Sequence, residues 1–321
     1  MTEYNSNQIL DIPEIPDGII EAAQKGKLVI FIGAGVSRLL GSPGWQGFAM
    51  GYLDYLYNND LINHREKEYL KSLSARKIIS ISKNKIKENN LKLPDFRKIL
   101  NIDKGHKKEK EHELYKNIYS CKAIYVTTNY DDYLDKMSKN ITSESYLDSK
   151  ENNARGKSKT FFRKEELLVS NLDNGNILHI HGSIEDKGNM IGSIVDYLSH
   201  YQEGSEIPVL LKDIFNKYTV LFVGYGLEED EILEFIVNKA AIGKDEIRHY
   251  TLMPMYKEEE NLLGFQESYY RELGIGFVPY NISKNGYDQL IDVIKDWSEK
   301  IKKESEPQTF LDKIKLIDEV I

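Results

Sequence analysis

The 321-residue chain contains one cysteine, Cys121. A single thiol excludes an intramolecular disulfide framework and any four-cysteine zinc ribbon. Long hydrophobic runs are missing as well. The most apolar stretch, Leu28 to Val36, falls far short of the roughly 20 residues needed to cross a bilayer. The first residues, MTEYNSNQIL, lack the basic region and apolar centre of a secretory leader. Together these absences lead us to expect a cytoplasmic protein with no membrane partner. Positive charge is in deficit, with 43 Lys and Arg against 51 Asp and Glu, a net −8. That balance argues against wholesale wrapping by nucleic acid and leaves direct nucleic-acid binding open.

Material for a core is plentiful. Apolar residues make up 40% of the chain, including 21 Tyr and 11 Phe, and a chain of this length can bury a sizeable interior. Charge is uneven along it. Residues 71–100 hold nine Lys/Arg and two Asp/Glu, so the remainder carries −15. Such a stretch is either a solvated helical face or a surface for phosphate, an acidic partner or another subunit.

Short apolar, β-rich runs predict buried strands at 27–32 (KLVIFI), 121–127 (CKAIYVT), 176–180 (NILHI) and 219–223 (YTVLF), with weaker ones at 248–252 and 275–279. Helical spacing appears at 207–217, 228–241 and 286–302, the last through Leu290, Val293, Ile294 and Trp297. Strands alternating with helices predict an α/β fold, a Rossmann-like, mainly parallel sheet covered on both faces. The expected organisation is a single domain over 1–321, with a core of 20–45 and 119–302. A charged helical insertion at 46–118 would break near Asn89-Asn90, Pro94 and Asp103–Gly105. Residues 141–160 read as a polar loop, and 303–308 as a linker before a helix at 309–320.

The chemistry-bearing residues fall at strand ends. The first strand runs into Gly33-Ala34-Gly35-Val36-Ser37, the second into Thr128-Asn129-Tyr130-Asp131, the third into His181-Gly182-Ser183, and the fourth into Gly224-Tyr225-Gly226. In an open parallel sheet, ligands bind beyond the carboxyl ends of the strands. Gly33 and Gly35 would let a diphosphate approach the backbone at a helix start, with Ser37 adding a hydroxyl; equally, they make a tight strand-to-helix turn. The third glycine of the dinucleotide fingerprint is replaced by Arg38. Asn129 suits orienting a water or a ribose hydroxyl, and Asp131 suits accepting a carboxamide N–H or facing positive charge; both also suit helix capping. His181 suits general base work at neutral pH or a structural role, and His179 shares its sheet face. No companion ligands stand at metal-site spacing, so no metal is expected. Tyr225 would pack on a ribose or base. An acidic first turn at Glu229 and Asp230 is accounted for by the helix dipole.

Taken in order, these motifs resemble the SIR2 (sirtuin-like) family. The match comprises the Gly33–Ser37 loop followed by Gly41-Ser42-Pro43-Gly44-Trp45, the Asn129-Tyr130-Asp131 motif, the His181-Gly182 pair and the Gly224–Gly226 turn, across roughly residues 20–300. The chain departs from protein deacylases in having no cysteines for a zinc ribbon, Gln46 where an Arg is usual, and a larger insertion. It is similar in this to the zinc-free SIR2-like NAD⁺ hydrolases of prokaryotic anti-phage defence. The resemblance implies NAD as substrate, cleaved to nicotinamide and ADP-ribose in abortive infection. It implies Asn129, Asp131 and His181 as catalytic residues and Gly33, Ala34, Gly35, Ser37, Thr128, Gly224, Tyr225 and Gly226 as cofactor contacts. It also implies a homo-oligomer and a separately encoded activator, a HerA-type ATPase or a short Argonaute, with residues 71–100 and 309–320 as candidate contact surfaces. A zinc-free deacylase or ADP-ribosyltransferase, and a module that binds NAD or ADP-ribose without turnover, are the competing readings.

Overall fold

A computed structural model describes residues 8–102, 108–148, 158–240 and 247–305. Seven parallel strands form one sheet: β1 (Leu28–Ile32), β2 (Ile124–Thr127), β3 (Thr160–Phe161), β4 (Ile177–His179), β5 (Thr219–Val223), β6 (His249–Met255) and β7 (Ile275–Asn281). Their spatial order is β3-β4-β2-β1-β5-β6-β7. All five residues of β1 are buried, as a central strand covered on both faces requires. Successive side chains alternate between the faces. Leu28, Ile30 and Ile32 join one apolar layer, and Val29 and Phe31 join the other.

The first layer is covered by α1 (Asp17–Gln24), α2 (Ala34–Leu39), α3 (Trp45–Asn58), α4 (His64–Lys71), α5 (Ala75–Glu88), α7 (Lys108–Ser120), α8 (Tyr133–Asp148) and α13 (Gln289–Ser305). On α13, Leu290, Val293, Ile294, Trp297 and Ile301 recur at helical spacing and are buried. Each contributes about 1.5–3 kcal/mol by leaving water. The Trp297 indole also donates to Pro13 O at 2.8 Å, tying this helix to the N-terminal segment. The second layer is covered by α10 (Glu206–Lys217), α11 (Asp230–Ala240) and α12 (Leu263–Glu272).

The stretch 46–118 is helical where described, and its buried residues belong to the same core as the sheet. The break at Asn89-Asn90 ends α5, where Asn90 takes φ 53°. Pro94 precedes α6 (Phe96–Ile99). The turn at 103–105 and the segment 309–320 lie outside the described residues.

Two local expectations are corrected. The supposed loop at 141–160 begins as helix, because α8 continues to Asp148: Met137 and Ile141 extend its apolar spacing onto the core. At the far end of that stretch, Thr160–Phe161 pairs with Ile177 and Leu178 as a two-residue edge strand. Cys121, at the α7–β2 junction, is buried, and burial pushes its thiol up to about 12. Among the described residues no helix is long and apolar enough to cross a membrane.

Candidate functional site

The chain leaves β1 on one side of the sheet and returns beside it as β5, so the two strand ends form the topological switch point. The glycine turns meet there. Gly33 N–H donates to Val223 O at 3.0 Å, and Gly35 N–H donates to Gly224 O at 2.8 Å. A Cβ at Gly33 would lie 2.5 Å from Gly224 O, and one at Gly224 would lie 2.6 Å from the Val36 nitrogen. Gly224 also holds φ +60°, a conformation that disfavours side chains. The glycines are therefore needed for one turn to press against the other. Ala34 and Gly226 are exposed at the rim of this junction, and Tyr225 is buried between Phe31 and Phe222.

From the end of β2, Thr127 Oγ1 donates to Ile32 O and accepts from Asn129 N–H, which bends the chain inward; Thr128 stays half-buried. Asn129 Nδ2 then donates to Gly33 O and to Ser37 Oγ, both at 2.9 Å. The Ser37 hydroxyl donates to Asp131 Oδ2 at 2.6 Å. Asn129, Ser37 and Asp131 are all buried. Removal from water pushes Asp131 up to about 6, opposed by the Ser37 hydrogen bond and the nearby His179. The structure thus joins three of the residues singled out in the sequence into one network that bridges β1 and β2.

His179 supports that network from behind. Its Nδ1 lies 3.0 Å from Asn129 O and its Nε2 lies 3.0 Å from Asp135 Oδ2. Both partners are acceptors, so only the doubly protonated ring satisfies both. Asp135 accordingly lifts His179 to about 9 against the opposing effect of burial.

His181 meets different neighbours. Its Nε2 lies 2.7 Å from the Tyr201 hydroxyl and 3.6 Å from Glu229 Oε2. Its Nδ1 lies 3.5 Å from the Tyr197 hydroxyl. Tyr197, His200 and Tyr201 come from the short α9 (Ile194–Tyr201) and its C-terminal end, and their rings pack edge-on around the imidazole. Burial, with His200 and Arg76 nearby, holds His181 well below its ordinary value. The imidazole is neutral at physiological pH and therefore able to accept a proton.

Several polar groups around His181 carry no hydrogen bond among the described residues: both His200 ring nitrogens, the Tyr225 hydroxyl and Glu229 Oε2. Buried polar groups are almost always satisfied, so this concentration of weakly satisfied groups makes the surroundings of His181 a candidate binding position. Among the described residues no three His, Cys, Asp or Glu side chains converge as a metal site.

The sequence reading missed part of this arrangement. Glu229 precedes α11, and its carboxyl faces His181, so the helix dipole does not account for it. Glu231, two residues on, is held bidentately by Arg76 of α5 at 2.7 and 3.1 Å. The Arg76 guanidinium also stacks 3.8 Å over the Tyr197 ring. Trp45, from the Gly41–Trp45 segment, packs against Tyr130 and Tyr197 and completes the aromatic wall. Tyr residues at 197 and 201, one helical turn apart, were the available signal.

Residues 123–274, which run from β2 through α12, match the SIR2-like domain. Over 282 residues, 85% of its length, the chain is 28% identical to Defense-associated sirtuin 2 of Bacillus subtilis. The aligned region is 25% of that protein, so the chain spans about a quarter of its relative's length.

Proposed function

Because the chain belongs to the SIR2-like family, we propose that it is an NAD⁺ hydrolase, cleaving the nicotinamide–ribose bond to nicotinamide and ADP-ribose as the effector of an anti-phage defence system. The observation that carries this reading is the pairing of a closed Ser37–Asn129–Asp131 network with a neutral, buried His181 at neighbouring strand ends.

The bond breaks through an oxocarbenium-like transition state, comparable to glycoside cleavage. Asp131, anionic at neutral pH, suits developing positive charge on the ribose or the carboxamide N–H. Asn129 is locked by its two hydrogen bonds, so it presents a fixed polar group to water or a ribose hydroxyl. His181 takes the proton from that hydroxyl or water. The diphosphate lies along the rim formed by exposed Ala34 and Gly226 and half-buried Gly35. Water exclusion by the tyrosine wall strengthens each polar contact. A separately encoded activator, of the ATPase or Argonaute kind, and self-assembly complete the proposal.

Incubation of the purified chain with NAD⁺, with nicotinamide and ADP-ribose resolved by mass spectrometry, tests it. Release that is lost in Asn129→Ala and in His181→Ala supports the hydrolase. NAD⁺ that is consumed solely when an acyl-lysine peptide is present overturns it in favour of a deacylase.

A further inference from the structure

Glu229 is the one carboxylate within ion-pair range of His181 among the described residues. Its Oε2 is shut off from solvent and has no donor at normal hydrogen-bond geometry, and the Tyr225 hydroxyl is close enough to favour its carboxylate form. The carboxyl does not sit there by chance of a loose loop. Glu231, two residues along, is clamped by the fork of Arg76, and the same guanidinium stacks on Tyr197, whose hydroxyl faces the other His181 nitrogen. The first turn of α11, next to Glu229, is thereby tied to Arg76 of α5, itself braced by Tyr197 of α9. A largely desolvated carboxylate is costly, and this one, helped by Arg76 and Tyr225, is retained beside an imidazole that is also denied charge.

Resting on the hydrolase reading, we propose that Glu229 is the positioning residue of His181: it orients the imidazole through Nε2 and holds the charge that His181 acquires when it accepts a proton. The charged and titratable groups facing the pair are Arg76 from α5; Tyr197, His200 and Tyr201 from α9; Tyr225 and Glu231 from the β5–α11 segment. Arg76 favours the Glu229 carboxylate, while burial and Glu231 oppose it, leaving Glu229 at about 7. Below that pH both members of the pair are neutral. Above it, Glu229 is anionic and ready to meet an imidazolium. The proton that leaves the attacking hydroxyl or water stays on His181, and Glu229 remains a carboxylate, so charge balances within the pair.

The test uses histidine-labelled full chain, with long-range ¹H–¹⁵N NMR of the His181 ring against pH. Wild type, Glu229→Gln and Glu229→Asp are compared, with NAD⁺ turnover measured on the same samples. Wild-type His181 is expected to show an inflection near pH 7 as Glu229 ionises; Glu229→Gln removes it and Glu229→Asp keeps it. Turnover by Glu229→Gln is expected to fall about 10–100-fold in kcat with KM within about twofold, and the acid limb of the pH profile moves. Glu229→Asp recovers part of the rate. Superimposable His181 titrations in wild type and Glu229→Gln overturn the proposal, as does a Glu229→Gln kcat equal to wild type. The NMR reading needs no turnover, so an inflection that Glu229→Gln abolishes upholds the pairing by itself, while a wild-type chain that never cleaves NAD⁺ even with its activator present refutes the hydrolase reading alone.

Discussion

His179 and His181 stand two residues apart at the end of β4, and their surroundings drive them to opposite charge states. His179 lies between two acceptors, the Asn129 carbonyl and the Asp135 carboxylate, and is held protonated. His181 lies among tyrosines with Arg76 and His200 close by, and is held neutral. The polar groups around His179 are hydrogen-bonded, whereas those around His181 include several without partners. A charged histidine with every bond made is a structural rivet; a neutral one beside unmet polar groups is available for chemistry. Burial is common to both, so burial alone does not separate the two roles. The partner's chemistry does.

The largest effect that distinguishes the pair comes from truncating each ring. His181→Ala is expected to reduce nicotinamide release by about 10²–10⁴-fold, the usual worth of a general base, a loss far larger than its cost in Tm accounts for. His179→Ala is expected to act first on stability. A His181→Ala protein that cleaves NAD⁺ at the wild-type rate would break the comparison.

Next in size is the Asp135 partnership. Asp135→Asn removes the charge that keeps His179 protonated, and a charge-assisted hydrogen bond of this kind contributes about 2–3 kcal/mol. Its pH dependence has a definite sign. A histidine raised from 6.5 to about 9 contributes stability that is fully present below pH 6.5 and is lost as pH rises through about 9. Asp135, lowered from its ordinary value, contributes above about pH 4 and loses that contribution at more acid pH. Thermal unfolding followed by circular dichroism at pH 6 and pH 9.5 should therefore show a drop in wild type that is flattened in Asp135→Asn. An equal drop in both proteins would refute the assignment.

A smaller change follows from Tyr201→Phe, which deletes the 2.7 Å hydrogen bond to His181 and leaves the ring. The expected loss is about 1 kcal/mol, a Tm shift of about 2–4 °C, with about a tenfold loss of turnover because the imidazole loses its anchor. The smallest is Arg76→Lys. The lysine keeps the charge but not the fork that grips Glu231 or the stack on Tyr197. A Tm shift of about 1–2 °C is expected, and a larger fall in turnover than in Tm would place Arg76 behind the Glu229 segment.

Much of this architecture was legible in the sequence because it depends on local pattern. The apolar runs at 27–32 and 219–223 contain β1 and β5, and the polar residues that follow them lie at the carboxyl ends of a parallel sheet. What escaped depends on distant chain. Thr160–Phe161 is a strand because β4 lies beside it, and nothing in so short a pair declares that. Glu229 reads as a helix-start acid until the fold brings its carboxyl to 3.6 Å from His181. Glycine in the Gly33–Gly35 and Gly224 turns signals a close approach, yet a sequence does not say whether the approaching atom belongs to a ligand or to the other turn.

The single cysteine supplies a clock for this molecule. Cys121 is sealed at the junction of α7 and β2, its sulfur hydrogen-bonded to Asn117 O at 3.5 Å and its thiol pushed up to about 12. A thiolate is what reacts with alkylating reagents, and in the closed protein it is both scarce and out of reach. Every modification must then await an excursion that exposes the start of β2, the strand that carries Asn129. The rate at which native protein loses its one thiol counts those excursions directly, with no engineered label and no second site to confuse the reading.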